Sequence, residues 1–600
     1  MLVYGDAVER ERAADKLARI GAGVRAARAT PAGLARHADW VGAFLEAGEL
    51  AQGVVDAAFH AAGGHETAAP AGDAAMALLH ALAKLVKASW NAPAFEVDAA
   101  VVDALLATVE AARAECERRA GDAVVDVKQP EGYAFYALYP ESYLEAAREL
   151  PRGEWRVIGI RSIGTSLGAI VAAALDAPLP LTLRPVGHPF DRQLAPGADA
   201  LLDALAASGS GQALRYAIVD EGPGLSGSSV AAVVRRVLER GVQPADVHVF
   251  ASHAHGPGAE ATPATRALWE AVSVHVASFE RSILGAADPS HRLECGVAGV
   301  VGPLTAPLRD VGNGGWRWLS NRAPAVAPVH PWQERRKYLA EAGGVGWLVK
   351  FAGVGRRGAR NVERAVALAK AGFSPRPIGT CHGFVVERWH QDAEPVDALL
   401  ALSAARERLV RRIADYLAFR ATRLVAPAHA GAMLQQLHEA ARYNAGQVLG
   451  AEIAPLFEVA PAALEALQAR VRRVETDNRM HAWEWLVVDG AVLKTDAVDH
   501  HAGHDLVGCQ DIAWDVVGAA VELDLSPAEQ LCIERRMAEL GCPVDRDLAD
   551  ALLPWYLGFQ LGAWGMALDA TGDAAERQRI DALLARYAER LRARVSSRRR

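Results

Sequence analysis

Residues 1 to about 120 place apolar side chains at helical spacing, as in "WVGAFLEAGELAQGVVDAAF" (40–59) and "AAMALLHALAKLV" (74–86), with a Gly/Pro-rich break at "AAGGHETAAPAGD" (61–73). This pattern predicts a mostly helical N-terminal region over 1–128, read as a packing layer without chemistry of its own. Around "VVDVKQPEGYAFYALYPESYLEAAREL" (124–150) the pattern changes to short strands and an aromatic helix start, and a second domain is placed at 129–300. There "VIGI" (157–160) reads as a buried strand, "RSIGTS" (161–166) as a polar turn and "LGAIVAAAL" (167–175) as a helix of small apolar residues. The unit repeats in "YAIVDEGPGLSGSSVAAVVRRVLERGV" (216–242), and "VHVFASHAHGPG" (247–258) adds a further strand. Such alternation predicts a parallel sheet with helices on its faces, where ligands gather at the carboxyl ends of the strands.

A third domain is placed at 301–600, around the Gly/Pro-rich "DVGNGGWRWLSNRAPAVAPVHP" (310–331). "ERRKYLAEAGGVGWLVKFAGVG" (334–355) reads as two strands about a glycine turn, with Lys350 inside an apolar run. "ARNVERAVALAKAGF" (359–373) follows as a helix carrying Glu363, then "HGFVVERW" (382–389) as a strand. The fold class expected is multidomain α/β and α+β.

Composition narrows this picture modestly. At 600 residues the chain is too long for one core, and 51% apolar with 23% charged residues is the composition of a folded soluble protein. A formal charge of −8 and a pI near 6.2 argue against a nucleic-acid-coating surface, and no recognition motif suggests DNA binding. No apolar run reaches membrane-spanning length and "MLVYGDAVERERAADK" has acids where a signal peptide needs a positive, then apolar opening, so a cytoplasmic protein without a membrane partner is expected. Cys116, Cys295, Cys381, Cys509, Cys532 and Cys542 show no CxxC spacing and read as reduced thiols.

The candidate chemistry begins in residues 220–229. Gly222, Gly224 and Gly227 permit close backbone approach, while Ser226, Ser228 and Ser229 put hydroxyls beside the amides of a helix N-terminus, which makes a phosphate cradle. Asp220 and Glu221 directly before it suit sugar hydroxyls or a bridging Mg²⁺, so the ligand suggested is a ribose carrying a phosphate. A nucleotide P-loop would need a Gly-Lys-Ser/Thr ending, which is absent.

Four apolar strand residues, two acids and a small-residue loop entering a helix resemble the signature of the type I phosphoribosyltransferases, a glycosyltransferase class, over roughly residues 129–290. The resemblance implies that Gly224, Ser226, Gly227, Ser228 and Ser229 bind the 5-phosphate of phosphoribosyl pyrophosphate (PRPP), with Asp220 and Glu221 on the ribose hydroxyls. It implies a pyrophosphate loop at Arg161, Ser162, Gly164, Thr165 and Ser166, with Arg161 steadying the leaving group, and a flap in "LRPVGHPFDRQL" (183–194) carrying Arg184, His188 and Arg192. "GPGLSG" (222–227) departs from the family pattern in length, lacks its threonine pair and has no further acid, which argues against purine salvage. Tyr133, Phe135, Tyr136 and Tyr139 could stack on a planar acceptor, although core packing is the favoured role, and His253 and His255 are placed at the mouth of the site.

The order of segments over roughly residues 316–600 resembles the aminoglycoside phosphotransferase branch of the protein-kinase-like fold, a bilobal domain. It implies Lys350 for the nucleotide phosphates, Glu363 as its helix partner, the segment at Glu387 as the adenine hinge, and Asp511 and Asp515 as the structural aspartates. Aligned on "MHA" (480–482), Arg479 falls at the catalytic aspartate and Glu484 at the metal-binding asparagine, while Asp496 ends the following hairpin. Glu484 and Asp496 remain candidate Mg²⁺ ligands, and Asp477 is the candidate general base of a shifted loop. Asp499, His500, His501, His504 and Asp505 have transition-metal chemistry, with a polar loop at the cleft as the preferred account.

Two readings of the whole follow. In the first, PRPP-dependent transfer to or from the base of a nucleoside-like metabolite is coupled to an ATP-binding small-molecule kinase unit. In the second, a regulator or scaffold senses PRPP and ATP without turnover. The partners expected are PRPP, ATP and an unidentified acceptor, and the reading is compatible with a homo-oligomer.

Overall fold

The computed structural model describes residues 8–208, 214–319, 326–396 and 403–598. Its first layer consists of the helices Ala13–Ala29, Leu34–Ala61, Pro70–Asn91 and Ala99–Ala120. Asp98 starts the last of these by accepting hydrogen bonds from the amides of Ala100 and Val101, and Pro70 opens the third at a position where its missing N–H costs nothing. Leu34–Ala61 is buried on most of its circumference, Trp40, Phe44 and Leu50 among apolar neighbours and Glu46, Glu49, Gln52 and Asp56 along a polar stripe. The layer is not helical throughout. Val8–Arg12 pairs antiparallel with Val124–Lys128 and ties its two ends together. "VERER" alternates in exposure but is too polar to announce a strand.

The second unit contains a five-stranded parallel sheet in the spatial order Leu181–Leu183, Glu154–Ile160, Leu214–Val219, Val247–Ala251, Ser273–Val276. The first connection runs outward to one side and the next returns to the other. The topological switch point therefore lies between Glu154–Ile160 and Leu214–Val219, where such sheets leave a crevice. Helix Gly164–Ala174 sits so close to the sheet there that a Cβ on Gly159 would lie 2.1 Å from the Gly164 carbonyl oxygen. An antiparallel hairpin, Pro185–His188 with Asp191–Leu194, follows the edge strand.

The third unit has a five-stranded antiparallel sheet in the order Arg309–Asp310, Lys337–Ala342, Val345–Phe351, Phe384–Arg388, Pro377–Cys381, with helix Gly355–Lys370 inserted after its central strand. The chain then crosses to a body built around helices Ser403–Arg423, Leu434–Leu449, Ala513–Glu522 and Arg546–Ala570, with a hairpin of Trp485–Val488 and Ala491–Lys494. One continuous apolar core runs from Trp40, Phe44 and Leu82 through Leu167 and Ile170 to Val349, Phe351 and Phe384. This core continues across the boundaries expected at 128 and 300, because the N-terminal helices are apolar on more than one face. Ion pairs Arg356–Glu46 at 2.6 Å and Arg357–Glu9 at 3.2 Å reinforce that junction. No helix among the described residues is long and apolar enough to cross a membrane.

Candidate functional site

The acid pair and the glycine-serine loop leave the central strand Leu214–Val219 at the switch point. Gly224 and Gly227 take φ of +57° and +65°, and Gly227 begins helix Ser228–Leu238. A Cβ on Gly227 would lie 2.6 Å from Trp269 Nε1, so both the conformation and the space demand glycine. Ser226 and Ser228 are buried, and their hydroxyls donate to the carbonyl of Pro189 at 3.1 and 2.9 Å. The tip of the hairpin is therefore seated on the phosphate-type loop. Ser229 is half-buried beside them on the first turn of the helix.

Burial pushes the Asp220 carboxyl up to about 7, against the hydrogen bond that it accepts from the Glu221 amide at 2.8 Å. Tyr143 fixes the backbone by donating to the Asp220 carbonyl at 2.8 Å. Glu221 lies against Gly132, where a Cβ would stand 2.8 Å from its Oε1. Of the aromatic residues in that segment, Tyr133, Phe135 and Tyr139 are core side chains and Tyr136 is 38% exposed. His253 approaches Gly222, at whose Cβ position its Nε2 would be 2.9 Å away, and its ring lies 5.6 Å from that of His255.

The other loop corrects the expectation drawn from sequence. Arg161 has a fully buried side chain whose Nη2 donates to both Glu66 oxygens at 2.7 and 2.8 Å, whose Nη1 donates to the Thr182 carbonyl at 3.0 Å, and whose Nε faces Asp56 at 3.0 Å. Its charge is used within the protein and is not available to a pyrophosphate. Arg184 is held in the same way, its Nε donating to Asp56 at 2.7 Å. Thr165 is fully buried, and Ser166 exchanges a hydrogen bond with Tyr133 at 2.9 Å beneath Gly48 of the N-terminal layer. Ser162, half-buried, lines a small cavity against that layer, while Gly164 opens the helix that packs on the sheet. On the hairpin, His188 is exposed and accepts from the Phe190 amide, and Arg192 donates to the Gly187 carbonyl at 2.8 Å.

A second candidate site is the cleft between the antiparallel sheet and the helical body, a cavity of about 160 Å³ lined by Lys350, Glu387, Arg479, Trp483, Glu484 and Asp496 among others. Lys350 pairs with Asp496. Burial alone would lower its pKa, but Asp496 and Asp499 outweigh it and hold the ammonium up to about 12. Glu363 is not its partner. That residue is exposed in the groove against the N-terminal helices, and the same helix turns Asn361 and Arg364 inward instead, Arg364 pairing with Glu475 at 2.6 Å. Glu387 faces the cleft near Lys350, and burial pushes its carboxyl up to about 7 despite that lysine.

Asp515 accepts hydrogen bonds from the amides of Asp477 and Asn478 at 2.6 and 2.9 Å, and Asp511 accepts from the Ala513 amide at 3.0 Å. These buried carboxylates shape the loop that precedes Arg479. Asp477, however, is fully buried behind the cleft, where it accepts from Tyr416 and faces Lys494 at 3.4 Å and Arg420 at 3.9 Å. These cations overcome burial and hold it ionised, but leave it no path to a substrate, so it is not the general base. Glu484 also departs from expectation. Arg479 at 3.1 Å and Lys494 at 2.6 Å take up its oxygens, which suits a salt bridge better than Mg²⁺. Two groups of potential ligands share His500, one with Asp477 and Glu484 and one with Asp496 and Asp499, the donor atoms of each lying within 4.8 Å of one another. His501 and His504 point elsewhere, toward Glu475 and Glu131. Sequence reasoning missed Lys494, whose signal was a second lysine closing an apolar strand two residues before Asp496.

If Lys350 holds nucleotide phosphates, Lys350→Ala should weaken ATP binding about 10- to 100-fold, the scale of one charge-assisted contact. Calorimetry with ATP would check this, and equal affinity in the folded variant would remove the assignment.

No protein-family model matches the chain, and no curated protein matches it. Solved structures similar to part of it include a choline kinase from Streptococcus pneumoniae, 14% identical, covering 42% of this chain and 89% of that one with a TM-score of 0.28. A choline/ethanolamine kinase family protein from Mesorhizobium loti is 15% identical over 49% of this chain and 94% of its own, with a TM-score of 0.29. A spectinomycin phosphotransferase in complex with ADP and spectinomycin is 13% identical over 42% of this chain and 85% of its own, with a TM-score of 0.30. Each of these likenesses reaches less than half of this chain.

Proposed function

We propose that the parallel-sheet unit binds PRPP and transfers its phosphoribosyl group to or from the base of a nucleoside-like metabolite. The observation that carries this reading is the meeting, at the switch point of the sheet, of an acid pair, a glycine-serine loop on a helix N-terminus and a hairpin tip seated on that loop. In the transfer the bond from the anomeric carbon to pyrophosphate breaks with its electron pair leaving on the pyrophosphate, and a base nitrogen supplies the pair for the new bond. Asp220 and Glu221 bind the ribose hydroxyls, the loop amides hold the 5-phosphate, and the hairpin excludes water from the cationic intermediate. Mg²⁺, when bound, offsets charge on the pyrophosphate; Asp220 and Glu221 are the carboxylates placed to hold it. Arg161 supports the loop from behind.

For the cleft, a specific pair favours binding without transfer. Arg479, which the resemblance aligns with the catalytic aspartate, is locked to Glu484, while Asp477 is buried out of reach. The C-terminal unit on this reading binds ATP and reports its presence to the fused core.

Calorimetry of the full chain with PRPP and Mg²⁺ at pH 6 and pH 8 tests the first reading. Asp220 is raised to about 7 in the folded protein, so it is mostly protonated at pH 6 and mostly ionised at pH 8. Binding to ribose hydroxyls needs the ionised form, and affinity should rise about tenfold across that interval, a difference that Asp220→Asn should flatten. The same raised value means that the unbound fold loses stability through this group as pH rises from the ordinary aspartate range to 7. Absence of saturable binding at both pH values would overturn the proposal.

A further inference from the structure

A buried cluster away from both sites joins three parts of the fold. His37 lies on helix Leu34–Ala61, Glu141 on helix Pro140–Arg148, and His382 in the turn between strands Pro377–Cys381 and Phe384–Arg388. Oε1 of Glu141 stands 2.9 Å from His37 Nε2 and 2.5 Å from His382 Nε2. The side chains of His37 and Glu141 are 0% exposed, and that of His382 is 6% exposed.

Two features fit poorly with a hydrogen-bonded staple. Oε2 of Glu141 and Nδ1 of His382 are buried with no hydrogen-bond partner among the described residues, and a polar atom buried in that way is destabilising. The ion-pair partners of the carboxylate among the described residues are the two imidazoles, with no arginine or lysine. A wholly buried carboxylate is one that is paired or coordinates a metal.

A divalent transition ion would fit this cluster. Two imidazole nitrogens and a carboxylate oxygen form a ligand set for Zn²⁺ and its neighbours, and the three donor atoms lie within 4.8 Å of one another. Nδ1 of His37 is 2.9 Å from Ser89 Oγ, the kind of outer hydrogen bond that orients a metal-bound imidazole and leaves Nε2 as the donor. The rings of Trp90 and Phe95, with centroids 5.5 and 4.9 Å from that of His37, form a dry wall on one side. On the other, His382 lines a groove of about 560 Å³ between the N-terminal helices and helix Gly355–Lys370, which offers an entry path and room for a water ligand.

We propose that His37, Glu141 and His382 bind one divalent transition-metal ion of the Zn²⁺ class, which locks the N-terminal helical layer to the antiparallel sheet. The test titrates the chelator-treated full chain with Co²⁺, read by visible absorption, and then displaces it with Zn²⁺. One equivalent of Co²⁺ should bind with visible d–d bands, be displaced by Zn²⁺, and raise the melting temperature. His382→Asn keeps a residue suited to the φ of +38° at that turn and should weaken binding by roughly 100-fold or more. His37→Gln should do the same, and it decides the question should His382→Asn fail to fold. Absence of the bands in folded wild-type protein overturns the proposal without any variant. Bands that persist in both folded variants, or that vanish in Asp496→Asn, would place the ion in the cleft and overturn it equally.

Discussion

Asp220→Asn combined with Glu221→Gln should lower the affinity for PRPP by a factor of about 10² to 10⁴, because each carboxylate contributes a charge-assisted contact of about 1.5–3 kcal/mol. The fold should survive. The side-chain amide oxygen introduced at position 220 can keep the hydrogen bond from the backbone amide of residue 221, the Tyr143 hydroxyl holds a backbone carbonyl that the substitution leaves in place, and Gln is nearly isosteric with Glu against Gly132. Above pH 7 the double variant should be at least as stable as the parent, since the half-buried Asp220 carboxyl is disfavoured in its ionised form there. Calorimetry with PRPP and Mg²⁺, paired with thermal unfolding, reads both quantities. Unchanged affinity in a folded double variant would show that the acid pair does not touch the ligand.

Arg161→Met has the opposite profile, a loss of stability of about 3–5 kcal/mol. The guanidinium is fully buried between Glu66 and Asp56, and its removal leaves two buried carboxylates short of one cation. Arg184 still reaches Asp56, and its amide still donates to Glu66 at 2.7 Å, which sets the upper bound on the damage. Urea unfolding at fixed pH measures the loss. Adding Glu66→Met to Arg161→Met should recover part of it, because the lone charge goes with it. A loss below about 1 kcal/mol would mean that water reaches the two acids once the arginine has gone. Any fall in activity of Arg161 variants consequently reports the support of the loop and not a contact to pyrophosphate.

Much of the fold was legible because it follows local pattern. The alternation from Trp155 to Val276 announces a parallel sheet, and Lys350 inside "GWLVKF" marks a strand whose one polar side chain must emerge into a cleft. Asp220, Glu221 and the glycine-serine loop stand where the strand-loop-helix pattern put them, between strand Leu214–Val219 and helix Ser228–Leu238. The polar ribbon of Val8–Arg12 escaped because alternating charges carry no apolar period, and its pairing with Val124–Lys128 is a contact across more than a hundred residues.

The partner of each charge lay beyond local reading. Arg161, Arg184 and Lys350 were all legible as charged residues on or after strands, yet what each one meets comes from a distant segment: Glu66 and Asp56 from the N-terminal layer, and Asp496 from a hairpin. Residue type and spacing therefore determined by themselves where strands, loops and candidate ligand groups would stand. Only the tertiary structure decided which of those groups are already neutralised by the protein and which face a cavity, because a charge is spent or spared by what packs against it, and packing is not encoded locally.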